Sequence, residues 1–233
     1  MVGARARPSA SPKSTRKVRA KTDMSTSRRP PGRPPDTNSA STRREMIEAA
    51  RACFGSFGFD KTSNADIVEK AGVTTGPLYH HFGSKAGLYG AVANDSIAVL
   101  VGRLEDVVGA RADEDVVSRL GAMLQAVAEI YIEDEDLARF DAIGPLELKR
   151  TPELVDHIDR SQRARLSALF DALIEDARDA QHVDPTSSDA ALNDLITVLY
   201  FGLIYYCAVV DADARPFDVV EVIVKGLRGE LFA

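Results

Sequence analysis

The side chains best suited to catalysis or metal binding in this sequence are four histidines, and two of them are neighbours. His80 and His81 lie together in the stretch "TTGPLYHHF", whereas His157 and His182 are isolated. The sequence contains no paired Glu-x-x-His motifs of a metal-carboxylate bundle, no nucleophile elbow and no phosphate-binding loop. We therefore expect no enzyme, and predict no catalytic residue, metal site or cofactor.

The stretch "TTGPLYHHF" itself predicts a short helix with an unusual outer face. Gly76 and Pro77 cost roughly 1 and 3 kcal/mol in a helix interior. In the first turn these penalties fall away, because the amide hydrogens there have no partner within the helix. At about 100° per residue, Leu78 and Phe82 share one face and Gly76 and His80 lie nearly opposite. The outer face is therefore small, aromatic and hydrogen-bonding.

Two short helices and a tight turn must position this face. Ser63 with Asp66 marks a helix start, Gly72 marks its end, and Thr74 caps the next helix. This arrangement is a helix-turn-helix, whose second helix is able to enter a DNA major groove about 12 Å wide.

An amphipathic helix of about four turns precedes the pair. Thr42 with Glu45 predicts a capping box at its start, and Gly58 predicts its end. Its apolar positions recur at helical spacing: Ile47, Ala50, Phe54 and Phe57.

From Thr62 to Tyr89 the sequence "TSNADIVEKAGVTTGPLYHHFGSKAGLY" resembles the DNA-binding signature of the tetracycline-repressor (TetR) family. The matching features are Thr or Ser before the second helix, Ile67, "AGV", a small polar pair, Gly76, "LY" then "HF", and Lys85. The resemblance implies an all-α fold with an amino-terminal three-helix head. A connecting helix would join this head to a larger helical domain for ligand binding and dimerisation.

The resemblance also implies that the head binds operator DNA, and the residue types suit that role. Short polar groups at helix amino-termini meet phosphates or base edges, and an exposed tyrosine or histidine reaches a phosphate or a base. The predicted DNA-binding residues are Arg29, Arg33, Arg43, Asn64, Thr74, Thr75, Gly76, Pro77, Tyr79, His80, His81 and Lys85.

Several of these residues have an ordinary alternative. His81 either contacts a phosphate or packs at the edge of the core, and Lys85 is either a phosphate contact or a plain surface lysine. Arg43 and Arg44 are either backbone contacts or solvated arginines. Gly76 and Pro77 occupy positions that vary in the family, so no base preference is carried over.

The first 38 residues differ from the rest in charge and composition. The net charge is +8 over residues 1–38 and +1 over residues 39–89. Because the whole chain has a net charge of −6, residues 90–233 have a net charge of −15. The tail is poor in apolar residues and is expected to be disordered. Its "RRPPGRPP" stretch, with Arg29 and Arg33, resembles Gly-Arg-Pro minor-groove hooks, and a solubilising basic linker is the alternative.

We predict a head at 39–100, with the motif at about 63–82, and a helical body at 101–233. The expected body helices are 84–108, 116–132, a segment broken at Gly144-Pro145, a long helix capped by Thr151 with Pro152 first, 189–210 and 216–232. The apolar stripe expected on the long helix is Leu154, Ile158, Leu166, Leu169, Leu173 and Ala177.

The last two helices are the most apolar, and in the family this pair forms a four-helix bundle with a second subunit. The apolar run 195–210 is shorter than the roughly 20 residues that a bilayer span needs. Cys53 and Cys207 fit no metal or redox spacing, as a reducing compartment allows. We expect a cytoplasmic homodimer without a membrane partner.

A small-molecule effector is a further expectation from the resemblance. The residues predicted to line its apolar cavity are Tyr131, Phe140, Tyr200 and Tyr205, with Tyr206 beside them, and ordinary core or interface packing is the alternative. The leading hypothesis is a homodimeric repressor that leaves operator DNA when a small molecule binds. The alternative is non-specific DNA binding through the basic tail.

Overall fold

All regular secondary structure in the described part of the chain is helical. The computed structural model describes residues 35–210 and 215–232, and these residues contain no strand. Arg29, Arg33 and the rest of the tail before residue 35 lie outside the described residues. The helices are α1 (Pro35–Lys61), α2 (Asn64–Ala71), α3 (Thr75–Phe82), α4 (Lys85–Gly109), α5 (Val116–Glu133), α6 (Glu135–Arg150), a 3-10 helix (Pro152–His157), α7 (Arg160–Asp179), α8 (Asp189–Val209) and α9 (Pro216–Leu227). The predicted all-α fold is confirmed.

Two apolar clusters hold these helices together, and α4 belongs to both. In the head cluster, Leu88 and Val92 of α4 pack with buried side chains of α1, α2 and α3. In the body cluster, Leu100 and Leu104 of α4 pack with α5 to α9. One continuous helix thus joins the head to the body, as the resemblance implied.

The first helix begins earlier than predicted. It starts at Pro35, so Thr42 lies inside the helix and the capping box predicted for Thr42 and Glu45 is wrong. Proline is favoured in a first turn because its missing N–H has no partner to lose there.

The predicted end of this helix at Gly58 is a kink. Gly58 has φ 76° and ψ 170°, a conformation that glycine adopts readily, and one further helical turn follows it. The kink brings Phe59 into the core, where its ring centroid lies 5.8 Å from that of Phe54. Phe57, predicted to be buried, is 61% exposed.

The break predicted at Gly144-Pro145 is also wrong, since α6 runs through it. Gly144 has no Cβ to clash with the proline ring. Packing anchors α6 on both sides of the pair, because Phe140 and Glu147 are both buried. The carboxylate of Glu147 accepts a 3.4 Å hydrogen bond from the Phe59 amide.

The long helix predicted from Pro152 is split into the 3-10 helix and α7. Ile158 is extended (φ −88°, ψ 126°) between them. Leu154 therefore leaves the predicted stripe and packs in the head cluster. A Cβ added at Gly90 would lie 2.4 Å from the His157 Cβ, so glycine is what lets the 3-10 helix approach α4. The Asn94 side-chain amide stabilises this contact between α4 and the 3-10 helix by donating to the His157 carbonyl oxygen (3.1 Å).

The other body helices lie close to their predicted positions, except at the carboxy-terminus. Helix α9 ends at Leu227 rather than at Phe232, and Gly229 follows with a positive φ of 74°. Phe232 is 94% exposed.

Candidate nucleic-acid interface

Helix α2 has the start and the end that the sequence predicts. Ser63 Oγ accepts from the Asp66 amide (3.2 Å) and Asp66 Oδ2 accepts from the Ser63 amide (2.8 Å). These hydrogen bonds to the carboxylate hold the pKa of Asp66 below its ordinary value. Gly72 ends the helix with left-handed angles, φ 66° and ψ 27°. Helix α2 is therefore fixed at both of its ends, and the second of these begins the turn into α3.

Helix α3 forms over Thr75–Phe82 with Gly76 and Pro77 in its first turn, as predicted. Thr74 precedes it with extended backbone angles, and within the described residues its hydroxyl makes no capping bond. A Cβ built on Gly76 would have no atom within 4 Å outside its two chain neighbours and its own helix backbone. No other element of the described structure requires a glycine at this position, whereas Pro77 favours one, because a side chain before a helical proline would clash with its ring.

The predicted facing of α3 is confirmed. Leu78 is fully buried in the head cluster, whereas Thr75, Gly76, Tyr79 and His80 are exposed; we call these four residues the outer face of α3. Tyr79 is 54% exposed. The outer face has no Asp, Glu, Lys or Arg side chain, and it offers exposed hydrogen-bonding groups.

Asn64, another predicted DNA-binding residue, contacts Tyr79 from the neighbouring helix. Its Nδ2 donates to the Tyr79 hydroxyl oxygen at 3.0 Å. Its Oδ1 is buried and has no hydrogen-bond partner among the described residues. This pair was not visible in the sequence, because nothing in the spacing of α2 and α3 fixes which side chains meet between them.

His81 lies at the boundary between the outer face and the core. Its ring stacks on that of His80, with centroids 5.1 Å apart and planes 4° from parallel. It is half-buried and lies 6.0 Å from the Phe82 ring, over which the Arg43 guanidinium also sits, at 5.4 Å. DNA contact by His81 and by Arg43 stays a prediction.

Lys85 is not a plain surface lysine. Its ammonium donates to the carbonyl oxygens of Phe59 (2.8 Å) and Thr62 (2.9 Å) and lies 4.3 Å from the centroid of the Phe59 ring. An ammonium has three N–H donors, so one remains for a phosphate. Lys85 thereby ties the end of α1 to the start of α4.

Arg51 links the head to the body, a role that the sequence did not indicate. Its side chain is only 12% exposed, and it pairs with Asp134 (2.5 Å) before α6 and with Asp95 (3.3 Å) on α4.

Nearby, the carboxylate of Asp141 accepts hydrogen bonds from Ser96 Oγ (2.6 Å) and Tyr131 Oη (2.8 Å). Burial raises the pKa of Asp141 to about 6.

The four residues predicted to line an effector cavity do not come together. Tyr131 and Tyr200 are both buried in the body cluster. Phe140 instead packs in the head cluster, 5.2 Å from the Tyr89 ring, and Tyr205 is 60% exposed on α8. Tyr206 accepts a hydrogen bond from the Arg215 amide (3.1 Å). Only Tyr131 and Tyr200 remain candidates for one site.

A polar cleft of about 480 Å³ opens where α1, α3 and α4 face the start of α7. Its lining includes Arg43, His81, Asn94, His157 and Gln162, and none of the predicted effector residues.

Comparison with known proteins agrees with the head geometry. A sequence profile described as "Bacterial regulatory proteins, tetR family" matches residues 46–92, which include all of α2 and α3. The chain is 34% identical over 130 residues to the HTH-type transcriptional regulator TtgR of Pseudomonas putida, covering 56% of this chain and 60% of TtgR. It is 39% identical over 75 residues to the HTH-type transcriptional repressor KstR2 of Mycolicibacterium smegmatis, covering 31% of this chain and 37% of KstR2. The chain thus matches less than two thirds of the length of either relative.

Solved structures resemble the whole described fold. The fatty acid degradation regulator FadR from Bacillus halodurans aligns with a TM-score of 0.69 at 18% identity, covering 82% of this chain and 96% of that one. FadR from Bacillus subtilis, solved in complex with stearoyl-CoA, aligns with a TM-score of 0.68 at 15% identity, covering 80% and 98%. At such identities the likeness shows the fold alone. The resemblance to the TetR family is thereby confirmed: the head matches the family profile in sequence, and the described helices share the fold of these solved regulators.

Proposed function

We propose that this protein is a sequence-specific DNA-binding transcriptional repressor that leaves its operator when a small molecule binds. The observation that carries the proposal is the outer face of α3. It is exposed, lacks Asp, Glu, Lys and Arg side chains, and bears Tyr79 and His80 beside a glycine that faces open space. Hydrogen-bonding groups of this kind on a second short helix suit base edges and phosphates in a major groove.

The repressor is proposed to act as a homodimer through α8 and α9. Val198, Phe201, Tyr205 and Val209 recur at helical spacing on α8 and are all more than 40% exposed; we call them the α8 stripe. Large apolar side chains exposed in a continuous row are typical of protein interfaces. A twofold dimer would present two α3 helices to half-sites about 34 Å apart.

A membrane does not explain the α8 stripe as well as a second subunit does. Among the described helices, α8 alone is long and apolar enough to span a bilayer. Its opposite face, with Ile196, Tyr200 and Leu203, packs in the body cluster. A spanning α8 would have to leave that packing, whereas a second subunit covers the stripe with the fold intact.

Effector binding is proposed for the body, with Tyr131 and Tyr200 as the best-placed candidates. A ligand shifts the protein off DNA only through different affinities for the bound and free conformations. The Arg51 ion pairs with Asp95 and Asp134 connect α1 to the body and are suited to pass such a shift to the head.

Operator selection tests the proposal. Purified full-length protein is incubated with random duplexes at physiological salt, and bound sequences are recovered through several rounds. We expect an inverted repeat to be enriched and competitor DNA to be excluded. Recovery of unenriched random sequence would contradict the proposal.

A second candidate, non-specific binding through the tail, rests on the ten Lys and Arg residues of positions 1–38. Its test is deletion of those residues. If the head specifies the site, the truncated chain keeps its sequence preference. The slope of log affinity against log salt then falls by about 0.9 for each phosphate contact that the tail made. If the tail alone binds, all affinity disappears.

A further inference from the structure

The contact between Asn64 and Tyr79 carries an inference about how the tyrosine meets DNA. Asn64 is the first residue of α2, and Tyr79 lies in the middle of α3. Their side chains bridge the two helices at 3.0 Å, with the amide donating and the phenol oxygen accepting. The bridge lies beside the outer face, where Tyr79 is 54% exposed.

The burial of the Asn64 amide oxygen limits how this residue is able to contact DNA directly. Its Oδ1 is buried without a partner among the described residues, so the oxygen end of the carboxamide is turned inward. A buried polar atom left unpaired costs free energy and calls for a reason. A direct contact to a base or phosphate would have to come from the second N–H of Nδ2, since the first donates to Tyr79.

The direction of the hydrogen bond determines what the phenol can do. A tyrosine hydroxyl has one proton and two acceptor sites. Because Asn64 Nδ2 occupies an acceptor site, the Tyr79 proton remains free to point away from α2. The opposite amide orientation would leave the NH₂ group buried without an acceptor, and unpaired buried N–H groups are rarer than unpaired carbonyls.

We infer that Asn64 is a positioning residue that acts through Tyr79: it holds the phenol in place and leaves its proton directed at a DNA phosphate. This inference rests on the proposed function. It changes the predicted role of Asn64 from a direct DNA contact to the support of one.

A double-mutant cycle on the selected operator tests the inference. Tyr79→Phe is expected to weaken binding about tenfold, because a hydrogen bond to a charged group is lost. Asn64→Ala is expected to weaken binding about three- to tenfold when Tyr79 is present and less than about twofold in the Tyr79→Phe background. Glu69→Ala, an exposed change on the same helix, is the additive control.

A single phosphate then serves as a second readout. Neutral methylphosphonates are substituted one at a time along the operator. At one position in each half-site the substitution should weaken the wild-type complex but leave the Tyr79→Phe complex unaffected. The Asn64→Ala complex should be equally insensitive at that position, which a general loss of head stability would not produce.

Asn64→Asp tests the direction of the proton. A carboxylate only accepts, so it would take the phenol proton away from the phosphate while still holding the ring in place. We expect Asn64→Asp to bind the operator more weakly than Asn64→Ala. In the Tyr79→Phe background this difference should be smaller, because only the repulsion between the added carboxylate and DNA remains. Circular dichroism and sedimentation check that each variant keeps its fold and its assembly.

Two outcomes overturn the inference while the proposed function stands. In the first, Asn64→Ala weakens binding equally in both backgrounds, which makes Asn64 a direct contact or a purely structural residue. In the second, Asn64→Ala does not weaken binding. If the wild type selects no operator at all, the proposed function itself fails, and the two failures are thereby distinguished.

Discussion

Residue chemistry on α3 was largely predictable, because it depends on neighbours in sequence. The burial of Leu78 and the exposure of His80 follow from helical angles alone, and Gly76 and Pro77 are tolerated in the first turn. The roles of Asn64 and Lys85 were not predictable, since their partners are 15 and 23 to 26 residues away. Such pairings are fixed only when the helices pack.

Tyr79→Ala tests the outer face at the scale of one side chain. We expect it to weaken binding to the selected operator by about 1 to 3 kcal/mol, through loss of a direct contact. Fluorescence anisotropy with labelled duplex measures the change. Phe57→Ala removes a similarly exposed aromatic from α1 and should bind normally. Unchanged affinity for Tyr79→Ala would remove this tyrosine from the site.

Lys85→Met separates the two roles of this lysine. Loss of its bonds to the Phe59 and Thr62 carbonyls should lower the free energy of unfolding by about 1 to 2 kcal/mol, measured by urea denaturation. If the third N–H meets a phosphate, the slope of log affinity against log salt should also fall by about one. A variant as stable as the wild type would contradict the structural role.

Two segments of the body show where predictions from neighbouring residues fail. The same Gly-Pro pair occurs in α3 and in α6, yet local chemistry predicts a helix only in the first case. Pro145 is accommodated inside α6 because packing holds the helix on both sides of it. The opposite error occurred after Pro152, where a predicted helix is a 3-10 turn held against α4. Tertiary contacts decided both cases, and a single sequence does not reveal them.

The α8 stripe carries a prediction about assembly. Val198→Asp places a charge on a side chain that is 67% exposed in one protomer, so the isolated subunit should fold normally. If the stripe is a dimer interface, the buried charge should convert the dimer to monomer in analytical ultracentrifugation and weaken operator binding. Val99→Asp, on an α4 valine that is 53% exposed, is the matched control. Equal sedimentation of Val198→Asp and wild type would place the interface elsewhere.

For the whole molecule, the division into head, connecting helix and body was predictable from the charge pattern and the family resemblance. The contacts that join head to body were not. Arg51 reaches across to Asp95 and Asp134, and next to them the Asp141 carboxyl is buried beside Tyr131. Charged groups on amphipathic helices ordinarily face solvent, so the sequence offered no signal for this junction.

Asp141 makes the stability of the molecule depend on pH. Burial raises its pKa from an ordinary 3.8 to about 6, despite Arg51 and the hydrogen bonds from Ser96 and Tyr131, and Asp134 adds to the increase. Between these two values the folded protein holds a proton that the unfolded chain releases, so stability falls as pH rises.

Asp141→Asn tests this effect. The stability of wild type relative to Asp141→Asn should decrease by about 1 kcal/mol between about pH 5 and about pH 7, measured by urea denaturation. A difference that does not change with pH, or that changes with the opposite sign, would contradict the burial of the carboxyl.

The central claim is that α3 reads the bases, and a change of specificity tests it most directly. Operator selection is repeated with Gly76→Lys and with His80→Ala, using Val99→Ala as the control. A lysine at Gly76 meets no atom beyond its chain neighbours and its own helix, but it precedes Pro77, so circular dichroism first checks that α3 keeps its helix. We predict that both variants select altered bases at symmetric positions of the inverted repeat, while the control selects the wild-type sequence. If both variants select the wild-type sequence with wild-type affinity, α3 does not read DNA.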